Sequence, residues 1–191
     1  ISELFAGWKK WRVSIVWYLV GIIPIIIAFT ATGINSLING KAIQIRTEIS
    51  WITLLSMFIF HFMQGATGEE LGWRGYALPK LEERYSVLIS GIILGLLISG
   101  WHSILHLVSP IGVPEWQFWL IMVCYCIIIA WVYNQSNHSL VIVTLFHFSF
   151  NLGLDLVVTK LELINLSELF PIYIGIYLLI AIVVIIASGR K

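Results

Sequence analysis

Two adjacent acidic residues, followed by an arginine, are the groups in this sequence best suited to chemistry. Glu69 and Glu70 come shortly after an apolar run, and Arg74 lies four residues beyond Glu70. Residues four apart share a face of a helix, so we expect Glu70 and Arg74 to pair. Glu69 is turned about 100° away and is left for other contacts. Because a carboxylate in lipid is costly, we expect Glu69 to face protein or a water-filled cavity.

Two later apolar runs carry polar side chains that are also costly in lipid. One run contains His102 and His106, and the other contains His147 and Asn151. The two members of each pair are four residues apart and share a helix face. Three segments that each carry such groups are best explained by one shared cavity, and an ionisable residue inside a span is a functional hypothesis. Spacing alone does not choose between His102 and His106.

Other polar residues in the apolar runs have simpler interpretations. His61 is ambiguous between a packing and a functional role, and its aromatic neighbours favour packing. His138 lies at an expected helix boundary, where we expect a cap or interface role. Cys124 and Cys126 are two residues apart on an expected helix, too close to bridge easily, and are predicted to be lipid-buried free thiols.

A cavity lined by Glu, His and Asn side chains indicates hydrolysis of an acyl bond. A carboxylate beside imidazoles can activate a water molecule as a general base. A histidine followed one turn later by an asparagine offers two hydrogen-bond donors to an oxyanion. Alternatively, one glutamate and two histidines can bind a catalytic zinc ion that holds a water molecule. No serine or cysteine has a convincing neighbouring base, so a covalent nucleophile is not expected.

The composition is that of a membrane protein. Of the 191 residues, 59% are apolar and 11% are charged, whereas soluble domains have about 45–50% and about 25%. The net charge is only +1, and no basic stripe is visible, so the expected partner is the lipid bilayer and not a nucleic acid. The length predicts a single transmembrane domain over residues 1–191. Because the first residue is Ile, we expect the chain to be incomplete at its N-terminus.

Six apolar runs predict an all-α bundle of about six transmembrane helices, with a short membrane-dipping helix that carries the acidic motif. A span needs about 20 apolar residues. The second run is short unless it continues into the acidic motif. The predicted spans are Val13–Thr32, Ile49–Gln64, Val87–Val108, Trp116–Tyr133, Leu140–Val158 and Leu169–Ala187.

The distribution of basic residues predicts that both termini are cytoplasmic. If the N-terminus is inside, eight of the eleven lysine and arginine residues lie on the inner side and three on the outer side. The inner residues would be Lys9, Lys10, Arg12, Arg74, Lys80, Arg84, Arg190 and Lys191.

With these motifs the sequence resembles the CPBP family of intramembrane proteases, also called the CAAX-protease and bacteriocin-processing or ABI family. That family carries EExxxR, FxxxH and HxxxN motifs in this order on successive membrane segments. The first is present as Glu69–Arg74 and the third as His147–Asn151. The second is matched by Ile98 and His102, with Ile in place of Phe. The pair His102 and His106 matches less well, so His102 is taken as the motif histidine.

The resemblance implies a role for each motif residue. Glu69 would be the general base, and His102 would hold the attacking water or a metal ion. His147 and Asn151 would stabilise the oxyanion. If zinc is used, its ligands would be Glu69, His102 and His147; a metal-free mechanism is equally open. Glu70 and Arg74 would be a supporting ion pair, with His106 as a supporting residue.

The implied activity is that of an endopeptidase acting on a membrane-associated peptide or protein. The implied location is the plasma membrane of a prokaryote, where such proteins are tied to bacteriocin immunity or peptide processing. Two rival interpretations are an ion-coupled carrier, because buried ionisable groups also mark transport pathways, and a non-catalytic membrane immunity protein.

Overall fold

The computed structural model describes residues 5–40, 42–45, 50–110, 112–162 and 165–188, which are mainly helical. A two-residue antiparallel strand pair, β1 (Gln44–Ile45) with β2 (Leu161–Glu162), joins two of the connections. A 3₁₀ turn, Ala6–Lys9, precedes the first helix. The α-helices are α1 (Ile15–Asn39), α2 (Trp51–Phe60), α3 (Gly68–Gly72), α4 (Leu78–Glu82), α5 (Val87–His106), α6 (Glu115–Gln135), α7 (Leu140–Lys160) and α8 (Leu166–Ser188).

The described helices confirm the prediction of an all-α membrane protein. Five of them, α1, α5, α6, α7 and α8, are long and apolar enough to cross a membrane. In the bundle, α5 packs on α6, α1 packs on α7, and α8 packs against both α6 and α1. Helix α6 is the most enclosed of the five. Side chains on several faces of α6 are therefore buried inside the protein.

The second predicted span behaves differently from the others. It forms α2 and then continues without a break to Glu82, through two π-helical segments, His61–Thr67 and Trp73–Ala77. We call residues 51–82 the motif stretch. The acidic motif thus lies on a continuation of the second apolar run, with both glutamates on α3 and Arg74 in the second π-helical segment. Wide π turns of this kind frequently occur at functional sites.

Serine side chains define the starts of three helices. The hydroxyls of Ser50, Ser86 and Ser139 accept hydrogen bonds from backbone N–H groups three residues ahead, at the starts of α2, α5 and α7. Such caps satisfy donors that a helix start otherwise leaves free. His138 lies in the turn before α7, and its ring contacts the ring of Tyr133 at a centroid distance of 5.1 Å. This agrees with the cap or interface role expected for it.

The contact between α5 and α6 depends on two glycines, four residues apart, on α5. A Cβ atom added at Gly95 would lie 2.7 Å from the Cα of Val123, and one at Gly91 would lie 3.0 Å from the Cα of Ile127. Small residues at this spacing allow two membrane helices to approach closely. The two glycines therefore fix the position of α6, which forms one wall of the site described next.

Candidate active site

The first and third motifs meet in a buried cluster. The Arg74 Nη1 atom donates to Glu70 Oε1 at 2.8 Å, and His147 Nδ1 lies 2.7 Å from the same oxygen. Glu70 is 0% exposed and Arg74 is 1% exposed. The predicted pairing of Glu70 with Arg74 is confirmed, and it extends to a residue that lies 77 positions away in the sequence.

Helix α6 forms the other side of this cluster. Arg74 Nη2 donates to Cys126 Sγ at 3.4 Å, and the guanidinium lies 5.7 Å from the centroid of the Tyr125 ring. A buried charge is tolerated only when hydrogen bonds and an opposite charge compensate for its lost hydration. The prediction that Cys124 and Cys126 are buried in lipid is wrong, because both free thiols are buried among protein side chains. The sequence does not show this, because the partner of Cys126 is on another segment.

The contact with Glu70 fixes the orientation of the His147 ring. A carboxylate paired with an arginine only accepts hydrogen bonds, so we assign a proton to His147 Nδ1, which donates to Glu70. The other ring nitrogen, Nε2, is then left for the site. It accepts a hydrogen bond when the ring is neutral and donates one when the ring is an imidazolium.

Glu69 and Glu70 are adjacent but have different surroundings. Glu70 is fully buried and engaged, whereas Glu69 is partly exposed. Within the described part of the chain, the Glu69 carboxylate forms no hydrogen bond or ion pair. This difference matches the expectation that one glutamate pairs with Arg74 and the other is left for different contacts.

Helix α7 carries a third polar residue that sequence reasoning missed. Asp155 lies one turn beyond Asn151 and two turns beyond His147, and its Oδ2 lies 2.8 Å from Nε2 of His61. His61, interpreted from the sequence as a packing residue, does contact the Phe60 ring, but it also forms this hydrogen bond. The sequence does contain a signal for Asp155, because His147, Asn151 and Asp155 follow one another at intervals of four residues and so share one face of α7.

The two contacts hold the motif stretch against α7 in an antiparallel arrangement. His61 pairs with Asp155, and Glu70 pairs with His147. The two contacts are nine residues apart on the motif stretch and eight residues apart on α7, so the two spacings are similar. Asn151, which is partly buried, lies on α7 midway between these two contacts.

The two histidines of α5 have different partners. His102 Nδ1 lies 2.9 Å from the carbonyl oxygen of Ile98. Since a carbonyl only accepts, Nδ1 carries a proton, and Nε2 of a neutral ring has a free lone pair. His106 Nδ1 is instead 2.9 Å from Glu115 Oε1 on α6, and Ser103 donates to the other oxygen of Glu115. His102 is therefore chemically available, whereas His106 links two helices.

The meeting of the second motif with the other two stays a prediction. The hydrogen bonds and ring contacts of His102 within the described residues involve Ile98, His106 and Phe118, and none joins it to Glu69 or His147. His102 lies 15 residues into α5, and His147 lies 7 residues into α7. At 1.5 Å per residue these depths are about 22 and about 10 Å, so helix tilt is needed to bring them level.

A zinc site is not preformed in the described residues. No three side chains of His, Cys, Asp or Glu type are grouped there closely enough to bind a metal ion. Binding of zinc by Glu69, His102 and His147 stays a prediction.

Comparison with known proteins agrees with the motifs. The family model described as type II CAAX prenyl endopeptidase Rce1-like matches residues 50–153, which contain all three motifs. The chain is also 33% identical over 146 residues to CAAX prenyl protease 2 of Methanococcus maripaludis. The matched residues make up 71% of this chain and 54% of that protein. The chain thus spans about half the length of this curated relative. The resemblance found in the sequence is confirmed: the chain belongs to the Rce1-like type II CAAX prenyl endopeptidase family.

Proposed function

We propose that this chain is an intramembrane endopeptidase that hydrolyses a peptide bond of a membrane-associated peptide or protein. The observation that carries the proposal is the buried cluster of Glu70, Arg74 and His147, which joins the first and third motifs. The cluster engages Glu70 and leaves the neighbouring Glu69 without an ion-pair partner among the described residues. A carboxylate that is not engaged in an ion pair is suited to act as a general base.

In the proposed reaction, Glu69 takes a proton from a water molecule held by a hydrogen bond to His102 Nε2. The water oxygen attacks the carbonyl carbon, and negative charge develops on the carbonyl oxygen. Asn151 donates to this oxygen through its amide, and His147 donates through Nε2 when it is an imidazolium. The proton on Glu69 then passes to the amine nitrogen as the C–N bond breaks. The second proton of the water stays on the attacking oxygen, so the products are a carboxylic acid, which then ionises, and a free amine, without a covalent intermediate.

The substrate proposed first is a protein with a prenylated CAAX terminus, because the relative from Methanococcus maripaludis is named a CAAX prenyl protease. An unprenylated membrane peptide, as in bacteriocin-linked processing, is the other class. The two are separated by giving the enzyme one peptide sequence with and without an isoprenyl group on its cysteine. Cleavage that needs the isoprenyl group supports the first class, and equal cleavage of both peptides supports the second.

We also propose that both termini face the cytoplasm at a prokaryotic plasma membrane, because the basic residues predict this orientation. The exposed turn between α6 and α7 would then be cytoplasmic. An Asn137→Cys variant tests this in intact cells, because an impermeant maleimide labels it only if the turn is outside. Labelling of intact cells would refute the orientation.

The central test compares the wild type with Glu69→Gln in liposomes that contain the peptide substrates. We expect the variant to lose cleavage, because an amide cannot take a proton from water at neutral pH. The matched control is Glu83→Gln, which changes an exposed glutamate that pairs with Lys80 just beyond the motif stretch. Absence of cleavage by the wild type, together with ion flux that depends on Glu69, would favour a carrier instead.

The role of zinc is tested separately. Elemental analysis gives the zinc content per chain, and 1,10-phenanthroline tests whether chelation stops cleavage. Cleavage that survives complete metal removal supports the glutamate mechanism, and loss that zinc reverses supports a metalloprotease.

A further inference from the structure

A tyrosine that no motif contains lies at the centre of the site. Tyr125 is in the middle of α6 and is 3% exposed. Its ring centroid lies 5.7 Å from the Arg74 guanidinium, 6.0 Å from the His147 ring and 4.5 Å from the Phe150 ring. It therefore contacts both the motif stretch and α7 at the point where they meet.

Three polar atoms of this cluster are buried without a hydrogen-bond partner in the described structure. They are the Tyr125 hydroxyl, the second carboxylate oxygen of Glu70 (Oε2) and the Nε atom of Arg74. Buried polar groups in proteins are almost always hydrogen-bonded, to protein or to an ordered water molecule. The Arg74 guanidinium lies 5.7 Å from the centroid of the Tyr125 ring and is hydrogen-bonded to Glu70, so the three groups belong to one cluster.

These three groups are chemically complementary. Glu70 Oε2 is an acceptor, Arg74 Nε–H is a donor, and the Tyr125 hydroxyl can donate and accept. A water molecule needs two to four polar partners to be stable in a protein interior. Phenylalanine would keep the ring contacts of Tyr125 and would avoid the cost of burying a hydroxyl. A tyrosine at this position is therefore expected only if its hydroxyl is hydrogen-bonded.

We propose that Tyr125 is a positioning residue whose hydroxyl binds one internal water molecule together with Glu70 Oε2 and Arg74 Nε. This water holds the Glu70 carboxylate in the plane that accepts from His147 Nδ1. Through Glu70 it keeps Nε2 of His147 directed at the reacting carbonyl. The inference rests on the proposed function, since it names a further residue that the same site needs.

The test is Tyr125→Phe in the liposome cleavage assay, with Tyr173→Phe as the matched control. Tyr173 is also a fully buried tyrosine and also packs on Phe150, but it lies on α8, where its ring contacts the ring of Tyr177. We expect Tyr125→Phe to lower kcat by about 10- to 100-fold, less than loss of a direct oxyanion donor. KM and the unfolding midpoint should stay close to wild type, because the ring packing is kept. Tyr173→Phe should cleave like the wild type.

Two outcomes would overturn the inference while the wild type remains active. The first is a wild-type kcat in Tyr125→Phe. The second is a loss of kcat in Tyr125→Phe that is accompanied by a lowered unfolding midpoint, or that is equally large in Tyr173→Phe. Failure of the proposed function is distinguishable, because the wild type itself would then cleave none of the peptides.

Discussion

Removing Arg74 tests whether the buried cluster holds the site together. In Arg74→Ala, the Glu70 carboxylate, which is 0% exposed in the wild type, loses its cation, and Cys126 loses its donor. Breaking a buried ion pair by removing one partner costs about 3–5 kcal/mol, because an uncompensated charge is left in the interior. We expect a loss of stability in this range, with loss of cleavage because the partner of His147 is no longer held.

The matched control is Lys80→Ala, which breaks an exposed pair in the same part of the chain. Lys80 and Glu83 are joined at 2.6 Å, but their side chains are 58% and 60% exposed. Pairs of that kind contribute about 0–1 kcal/mol. The assay is unfolding in detergent micelles, followed by helical signal, with both variants in the same detergent.

A double variant separates the effect of charge from the effect of volume. In Glu70→Gln with Arg74→Met, both charges are removed and much of the volume is kept, so most of the stability lost in Arg74→Ala should return. Cleavage should stay low, because an amide does not orient His147 as the carboxylate does. The reasoning is refuted if Arg74→Ala is no less stable than Lys80→Ala, or if the double variant is as unstable as Arg74→Ala.

Two further predictions concern α5. Gly95→Ala should lower the unfolding midpoint, because a Cβ at Gly95 would meet the backbone of α6. Gly100→Ala should leave the midpoint unchanged, because no atom lies near a Cβ at Gly100. Equal midpoints for the two variants would contradict the close packing of α5 on α6. His102→Ala should abolish cleavage, whereas His106→Ala should only reduce it, because His106 acts through its contact with Glu115. Both purified variants are measured in the liposome cleavage assay. A larger loss in His106→Ala would show that the motif histidine is His106.

The sequence predicts those features that depend on short separations along the chain. The five spanning helices follow from apolar runs, and the Glu70 and Arg74 pair follows from a spacing of four residues. A pairing at that spacing needs only the geometry of one helix, so no knowledge of tertiary structure is required.

Contacts between distant segments could not be predicted in the same way. The partner of His147 was not identified, although the residue itself was expected in the site. The difference between His102 and His106 arises from Glu115, which lies on the next helix. The cysteines were assigned to lipid because an apolar run looks the same whether lipid or protein surrounds it. Tertiary packing decides each of these cases.

The first π-helical segment explains how two residues of the motif stretch can reach the same helix. His61 and Glu70 are nine residues apart, and in a regular α-helix, with about 100° per residue, they would lie on opposite faces. Both nevertheless contact α7, through Asp155 and His147. The segment His61–Thr67 has wider turns, with about 80° per residue, because its hydrogen bonds run from i to i+5. Over seven residues this difference rotates Glu70 by about 140°, which brings its carboxylate towards α7 and leaves Glu69 on a different side.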